Sequence, residues 1–214
     1  MDLLHELSMQ LQRGRAKEVA ALVQQALDAG EAPRRVLEDG LMQGMEVVGE
    51  KFRSNEVFVP EVLIAARAMN AGIEVLKPHL VDGGVEAKGT VVLGTVRGDL
   101  HDIGKNLVRM MMQGKGLEVV DLGVDVPAER FVQEAIERDA DIIACSTLLT
   151  TTMPEMRAVV ETAVAQGVRE RFGIMVGGAP VTEAFRASIE ADLYAPDATS
   201  AADAAVAHCR ARAG

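Results

Sequence analysis

The chain of 214 residues is long enough for one large domain or two small ones. Its formal net charge of −10 argues against non-specific nucleic-acid binding, which needs a basic surface. The sequence contains no run of about 18 apolar residues, so it predicts no membrane span. The amphipathic N-terminus lacks the apolar core of a secretory signal. Two cysteines do not make a disulfide framework. We therefore expect a cytoplasmic protein that binds neither nucleic acid nor membrane.

The first part of the chain has a helical pattern throughout. Apolar residues recur at three- and four-residue spacing in four stretches. Gly30 ends the second stretch, while Pro33 and Pro60 lie near the starts of the third and fourth. The pattern predicts a four-helix bundle over residues 1–81. The glycine pair in VDGGVEAKG predicts a linker over residues 82–89.

From residue 90 onward, short β-branched runs alternate with helical stretches. Strands that alternate with helices and are apolar on both faces indicate a parallel sheet covered on both sides. We predict an α + α/β chain in which the bundle precedes a flavodoxin-like (Rossmann-type) five-stranded parallel sheet over residues 90–214. The predicted strands are 90–96, 117–123, 141–147, 172–177 and 192–195. The predicted helices are 103–115, 127–138, 153–167, 181–190 and 200–212.

The segment GDLHDIG (98–104) stands where the first predicted strand passes into a helix. It does not match the P-loop spacing, and Asn106 stands where a Mg²⁺-binding hydroxyl is expected. Because residues two apart in an extended loop point the same way, Asp99 and His101 can form a carboxylate–histidine pair. A histidine with no second histidine or cysteine nearby cannot make a protein-only zinc site. The metal would have to bring its own equatorial ligands, as in a macrocycle, and Gly104 would leave room for it.

Three motifs in this order resemble the cobalamin-binding signature. They are D-x-H-x-x-G at Asp99, His101 and Gly104, S-x-L from Ser146, and the glycine pair that starts at Gly177. In that family the histidine replaces dimethylbenzimidazole as the lower axial ligand of cobalt, and the displaced nucleotide tail enters the sheet. The resemblance therefore implies a cobalamin cofactor, with His101 as metal ligand and Asp99 hydrogen-bonded to it.

The same resemblance implies roles for further residues. Thr152 matches the hydroxyl position that completes the Asp–His relay in methionine synthase, which has serine there. Tyr194 and Asp197 would lie near the end of the nucleotide. The other implied cofactor contacts are Asp102, Ile103, Gly104, Ser146, Leu148, Thr150, Gly177, Gly178 and Ala179.

The helical half resembles the cap module of methyl-transferring corrinoid proteins, above all over residues 51–80. There Phe58, Val59 and Val62 would cover the upper face of the corrin. The resemblance implies a methyl carrier of the methylamine or methanol type. Its partners would be a substrate-specific methyltransferase, a second methyltransferase with tetrahydrofolate or a thiol as acceptor, and a reductive activation protein. The linker would serve as the hinge of the cap.

Other interpretations stay open at this point. The chain could be an adenosylcobalamin-binding subunit or sensor, although the related photoreceptors carry a tryptophan in the helical domain and this chain has none. It could also be a cobalamin-binding or storage module without methyl transfer. A receiver-like signalling domain fits less well, because the predicted third strand ends in ACSTLL without a phosphoryl-accepting aspartate. The sequence does not specify the methyl donor, the methyl acceptor or the oligomeric state.

Overall fold

The computed structural model describes residues 2–82 and 87–213. Contacts within the chain divide it into two compact units, Met1–Glu86 and Ala87–Gly214. Residues 83–86 of the predicted linker lie outside the described residues, so the hinge assigned to it stays a prediction.

The first unit is helical, as predicted. Asp2 caps its first helix by accepting a hydrogen bond from the backbone of Leu4 (3.1 Å). The third predicted helix is present as one unbroken run whose middle part is π-helical. No helix in the described part of the chain is long and apolar enough to cross a membrane. The helices are α1 (Leu3–Gln12), α2 (Ala16–Asp28), α3 (Pro33–Arg35), the π-helical segment Val36–Met42, α4 (Gln43–Arg53) and α5 (Val59–Asp82).

The core of the helical unit is aliphatic. Leu7, Leu11 and Leu76 are completely buried. A Cβ on Gly40 would lie 2.6 Å from Leu7 Cδ2, so the glycine allows α1 to pack closely against the π-helical segment. The three- and four-residue spacing of apolar side chains thus produces a bundle that buries its own apolar faces.

The second unit is a five-stranded parallel sheet with strand order β2-β1-β3-β4-β5. This order confirms the predicted flavodoxin-like topology. The strands are β1 (Thr90–Thr95), β2 (Glu118–Asp121), β3 (Ile142–Ser146), β4 (Gly173–Gly177) and β5 (Leu193–Tyr194). The helices are α6 (Ile103–Gly114), α7 (Ala128–Glu137), α8 (Met153–Ala165), α9 (Glu183–Ser188) and α10 (Ala198–Ala213). Short 3₁₀ turns occupy Thr150–Thr152 and Arg169–Arg171.

Alternate strand residues face opposite sides of this sheet. Val92, Ile143 and Ile174 belong to the core that also contains Phe131 of α7 and Met156 of α8. The neighbouring strand residues Leu93, Ala144 and Met175 instead line a cavity, together with residues of α6 and α10. The sheet therefore packs fully on one face and leaves a cavity on the other.

The strand order places the first predicted motif beside the second. Because β1 lies between β2 and β3, the chain leaves β1 in one direction toward β2 and later returns on the other side. Such a switch point opens a crevice at the carboxyl ends of the strands. The GDLHDIG segment follows β1 here, and the segment STLLTTT follows β3.

Candidate functional site

The carboxylate of Asp99 is the centre of the site. It is completely buried, and both of its oxygens lie within hydrogen-bonding distance of donors. Oδ1 accepts from the backbone of His101 (3.0 Å) and faces the ring Nδ1 of the same residue (2.7 Å). Oδ2 faces donors from the segment after β3, which are Thr147 Oγ1 (2.9 Å), Leu148 N (2.7 Å), Leu149 N (3.3 Å) and Thr152 Oγ1 (3.4 Å).

These donors keep Asp99 ionised. Burial alone would raise the pKa of its carboxyl group. The backbone N–H groups of His101 and Leu148, the His101 ring and the Thr147 hydroxyl outweigh burial, so the pKa of Asp99 lies well below its ordinary range. A carboxylate that is ionised at neutral pH can only accept hydrogen bonds, which determines the roles of its neighbours.

His101 is held with one nitrogen inward and one available. Because Asp99 is ionised, the 2.7 Å contact requires a proton on Nδ1, and the neutral ring then carries its lone pair on Nε2. The Thr95 hydroxyl donates to the His101 carbonyl (2.9 Å), which fixes the backbone of the loop. The His101 side chain is 51% exposed. Nε2 is therefore the nitrogen that Asp99 leaves available for a metal outside the protein's own core.

Two threonine hydroxyls lie behind Asp99. Thr152, the predicted hydroxyl, lies 3.4 Å from Asp99 Oδ2, whereas its contact with Thr147 Oγ1 is 2.6 Å. Thr147 is closer to the carboxylate, at 2.9 Å. Both side chains are buried. Sequence reasoning missed Thr147, although it is the middle residue of the S-x-L motif and so alternates with Ser146.

Asp125, in the loop after β2, clamps the segment that carries Asp99. Its backbone N–H donates to the Asp99 carbonyl (3.1 Å), and its Oδ1 accepts from Gly98 N (2.7 Å). Both residues have positive φ, +54° at Asp125 and +78° at Gly98. Aspartate and glycine tolerate this conformation, so the clamp is compatible with their identities. No motif in the sequence points to Asp125.

A cavity of about 600 Å³ opens beside His101, bounded by the starts of α6 and α10 and the ends of β1, β3 and β4. Leu100 and Ile103 form an exposed apolar rim next to the histidine. The predicted residues that line the cavity are His101, Asp102, Ile103, Gly104, Ser146, Leu148, Gly177, Gly178, Ala179 and Asp197. The structure thus brings most of the predicted contact residues around one space.

Several predicted residues lie elsewhere. Tyr194 packs against the core on the opposite face of the sheet, and its neighbour Ala195 lines the cavity instead, because side chains alternate along β5. Thr150 is exposed in the 3₁₀ turn before α8 and does not line the cavity. Asp197, by contrast, lines the cavity, and it also accepts hydrogen bonds from the backbone and hydroxyl of Ser200 (2.8 and 2.7 Å) and so caps α10.

The three predicted contact residues of the helical unit differ in how exposed their side chains are. Phe58 is 63% exposed, and Val59 is partly buried. Val62 is completely buried. Phe58 is therefore available to cover a ligand, whereas the side chain of Val62 is not.

The glycine pair at the end of β4 meets the segment after β3. A Cβ on Gly178 (φ +135°) would overlap the carbonyl oxygen of Thr147, whereas a Cβ on Gly177 would lie 3.7 Å from its nearest neighbour, the Ala195 carbonyl oxygen. Gly177 O also accepts from Thr147 N (3.2 Å). Only Gly178 is therefore required for the backbone of Thr147 to approach. A Cβ on Gly104 would meet no protein atom within 4 Å, so glycine there leaves open space at the cavity.

Lys105 joins the helix that lines the cavity to the end of β2. Its buried ammonium group contacts Asp121 Oδ1 (2.7 Å) and Oδ2 (2.6 Å) and donates to Asn106 Oδ1 (2.9 Å). Burial would raise the pKa of Asp121, but the hydrogen bond from Lys105, the Gly123 N–H and the charges of Lys105 and Arg109 outweigh it and lower the pKa. The ion pair therefore anchors α6 beside His101.

We expect Lys105→Met to raise the pKa of Asp121, because burial remains while the main opposing donor and charge are lost. Losing this charged hydrogen-bonding partner is expected to lower the free energy of unfolding by about 1–3 kcal/mol. A carboxyl-carbon NMR titration and urea melts would measure the two effects. The exposed Lys17→Met variant serves as the control, and an unchanged Asp121 titration in Lys105→Met would contradict the role assigned to the lysine.

The fold and the site define a class before any comparison. They describe a flavodoxin-like binding unit that presents a carboxylate-held histidine beside a large, mostly apolar cavity, preceded by a helical unit.

Comparison with known proteins agrees with that class. Residues 89–206 match the family model described as "B12 binding domain", and residues 3–77 match a second model with the same description. "Dimethylamine corrinoid protein 1" of Methanosarcina acetivorans is 44% identical over 202 residues, covering 94% of each chain. "Trimethylamine corrinoid protein 1" of the same organism is 47% identical over 186 residues, covering 86% of each. A chain in the crystal structure of the methanol:cobalamin methyltransferase complex of Methanosarcina barkeri superimposes with a TM-score of 0.86 at 32% identity, covering 96% of this chain and 80% of that one. The chain therefore belongs to the cobalamin-binding corrinoid proteins of methyltransferase systems.

The described residues fit the cobalamin cofactor of this family. The available Nε2 of His101 is a nitrogen ligand of the kind that cobalt accepts. The cavity beside it is lined by apolar side chains and by glycines that leave space, which suits a bulky organic tail. The donor set is a single histidine held by a carboxylate, as a metal that carries its own equatorial ligands requires.

Proposed function

We propose that this chain is a methyl carrier that binds cobalamin with its own base displaced and His101 Nε2 in the lower axial position. The observation that supports this most directly is the 2.7 Å contact between His101 Nδ1 and the buried Asp99 carboxylate, which occupies Nδ1 and leaves Nε2 as the nitrogen for a metal. Cobalamin, when bound, supplies a cobalt ion that can accept a methyl group from one protein and pass it to another.

The protein's own residues would prepare this chemistry in three ways. Asp99 would orient the His101 ring and hold a proton on Nδ1, which leaves the Nε2 lone pair for the metal. The cavity would take the displaced nucleotide, with space at Gly104 and Gly177. The apolar rim at Leu100 would exclude water from the lower face.

The partners proposed for the carrier follow from its relatives. A substrate-specific methyltransferase is supported by the methanol:cobalamin methyltransferase complex, one chain of which this protein resembles over nearly its whole length. Identities of 44% and 47% to dimethylamine and trimethylamine corrinoid proteins favour a methylated amine as donor. The second methyltransferase, its tetrahydrofolate or thiol acceptor, the reductive activation protein and the cytoplasmic location remain predictions. So does the cover of the upper corrin face by Phe58 and Val59.

The axial ligand can be tested by electron paramagnetic resonance. The full chain is reconstituted with hydroxocobalamin, reduced to the cobalt(II) form and compared with the His101→Ala variant. We expect triplet hyperfine splitting from the ligating nitrogen, conversion of each triplet to a doublet when the protein is labelled with ¹⁵N-histidine, and loss of that effect in His101→Ala. The exposed His5→Ala variant is the matched control and should behave as wild type.

Two results would contradict the proposal. If no corrinoid is retained, the site is not a cobalamin site. If triplets persist in the ¹⁵N-histidine-labelled protein, dimethylbenzimidazole remains on the cobalt and the chain is a binding module without a histidine ligand.

Methyl transfer itself is tested by mixing the reduced holoprotein with methyltransferases that act on dimethylamine or trimethylamine. Methylation with neither amine would remove the support for a methylated-amine donor.

A further inference from the structure

Two buried hydroxyls stand behind the carboxylate that holds His101, and their proton directions can be assigned. Both oxygens of Asp99 already accept backbone N–H groups, Oδ1 from His101 (3.0 Å) and Oδ2 from Leu148 (2.7 Å), so this side chain is an acceptor and the Thr147 hydroxyl, 2.9 Å from Oδ2, donates to it. That proton is then not available for the 2.6 Å contact between Thr147 Oγ1 and Thr152 Oγ1. The donor in this contact must be Thr152.

The hydrogen bonds therefore run in one direction, from Thr152 to Thr147, from Thr147 to Asp99 Oδ2, and from His101 Nδ1 to Asp99 Oδ1. The other contacts of Thr152 Oγ1 are longer, at 3.1 Å to the Leu149 carbonyl oxygen and 3.4 Å to Asp99 Oδ2. A hydroxyl has one proton, so Thr152 cannot donate to all three oxygens at once. The shortest contact assigns that proton to Thr147.

We propose that Thr147 is the hydroxyl that positions Asp99 and thereby His101, and that Thr152 acts through Thr147. The burial of Thr147, with 1% of its surface exposed, makes its hydrogen bond to a charged acceptor difficult to replace by water. Its backbone is held as well, because Thr147 N donates to Gly177 O (3.2 Å). This differs from the expectation that Thr152 is the hydroxyl that completes the relay.

The inference can be tested in two ways, and only the measurements on the cobalamin-loaded protein rest on the proposed function. In the apo protein, the fraction of His101 in the Nδ1–H tautomer reports how well Asp99 is oriented, and ring ¹⁵N chemical shifts measure that fraction. In the loaded protein, the dissociation constant for hydroxocobalamin and the ligand hyperfine splitting report the same positioning.

The test compares Thr147→Val, Thr147→Ser and Thr152→Val in the full chain. Valine matches threonine in shape without the hydroxyl, so we expect Thr147→Val to reduce the Nδ1–H population and to weaken hydroxocobalamin binding roughly tenfold. Thr147→Ser keeps the hydroxyl and loses the methyl group, so its tautomer population and affinity should remain close to wild type. If Thr147 acted only through its shape, this variant would be impaired. Thr152→Val should change binding by less than about threefold, since the Thr147 donor to Asp99 remains.

The double variant tests the order of the two hydroxyls. If Thr152 acts through Thr147, Thr147→Val with Thr152→Val should bind hydroxocobalamin as Thr147→Val alone does. A Thr152→Val effect of tenfold or more would overturn the inference, and it decides the order even if Thr147→Val does not fold. Wild-type tautomer populations and affinity in a folded Thr147→Val variant would also overturn it. Absence of histidine splitting in the wild type would instead contradict the proposed function, and the apo tautomer measurement would still test Thr147.

Discussion

Replacing Gly178 with alanine is expected to be among the most damaging single changes in the sheet unit. Its φ of +135° is a conformation that residues with a side chain rarely adopt, which costs about 1–3 kcal/mol. The new Cβ would also overlap the carbonyl oxygen of Thr147, and relieving that overlap costs a further 1–3 kcal/mol or so. We therefore expect the free energy of unfolding to fall by about 2–6 kcal/mol, as measured by urea denaturation.

The same substitution should weaken cofactor binding in the molecules that still fold. Moving the Thr147 carbonyl away from residue 178 also moves the Thr147 hydroxyl and the Leu148 N–H, which both donate to Asp99. Gly177→Ala is a matched control for the loss of stability, because its Cβ would have only an ordinary contact, 3.7 Å from the Ala195 carbonyl oxygen. Equal stability losses in the two variants would show that the close approach at Gly178 has no special cost.

Asp99→Asn is expected to destabilise the protein and to remove the orientation of His101. An amide has one acceptor oxygen and one donor nitrogen, whereas the protein presents donors to both positions. The amide NH₂ group would therefore face hydrogen-bond donors of the protein. We expect a loss of about 2–3 kcal/mol in the free energy of unfolding at neutral pH. Hydroxocobalamin binding should weaken by roughly 10- to 100-fold, the usual effect of removing the carboxylate behind a ligating histidine.

The pH dependence provides a second check on Asp99. Its pKa is lower in the folded protein than in the unfolded chain, because hydrogen bonds to the carboxylate outweigh burial. The resulting stabilisation is complete above the unfolded pKa of about 4 and is lost as the pH falls below it toward the folded value. The stability difference between wild type and Asp99→Asn should therefore shrink between neutral pH and about pH 3.

Urea melts of both proteins across this range would measure the difference. Asp102→Asn is the control in the same loop, since Asp102 is exposed and its carboxylate accepts a hydrogen bond from Asn106 Nδ2 (3.0 Å) in the helix that follows. We expect it to change stability by less than about 0.5 kcal/mol. A stability difference for Asp99→Asn that stays constant from pH 7 to pH 3 would contradict the depressed pKa.

The local pattern of the chain was sufficient to predict both halves of the fold. Apolar spacing predicted the helices around Leu7 and Leu76, and β-branched runs alternating with helices predicted a parallel sheet. These signals are local because each element buries one face or stripe whose period is written in consecutive residues. The pairing of Asp99 with His101 was also accessible, since residues two apart share a side in an extended loop.

The direction in which a side chain points within the predicted sites was harder to predict from the sequence. Val62 belongs to an apolar stripe that could face a ligand or a neighbouring helix, and only the folded chain shows that its side chain is completely buried. Tyr194 stands one residue from the cavity-lining Ala195, and a shift of one residue along a strand reverses the face.

The amino-acid sequence by itself determined the fold class, the cobalamin signature and the short-range pair of Asp99 and His101. Only the tertiary structure decided which hydroxyl meets Asp99, because Thr147 lies 48 positions away in the chain and reaches the carboxylate through the pairing of β1 with β3. It also decided why Gly178 must be glycine, since the clash that excludes a side chain there comes from the segment after β3. Contacts between distant segments depend on strand order and register, which no local pattern of residues specifies.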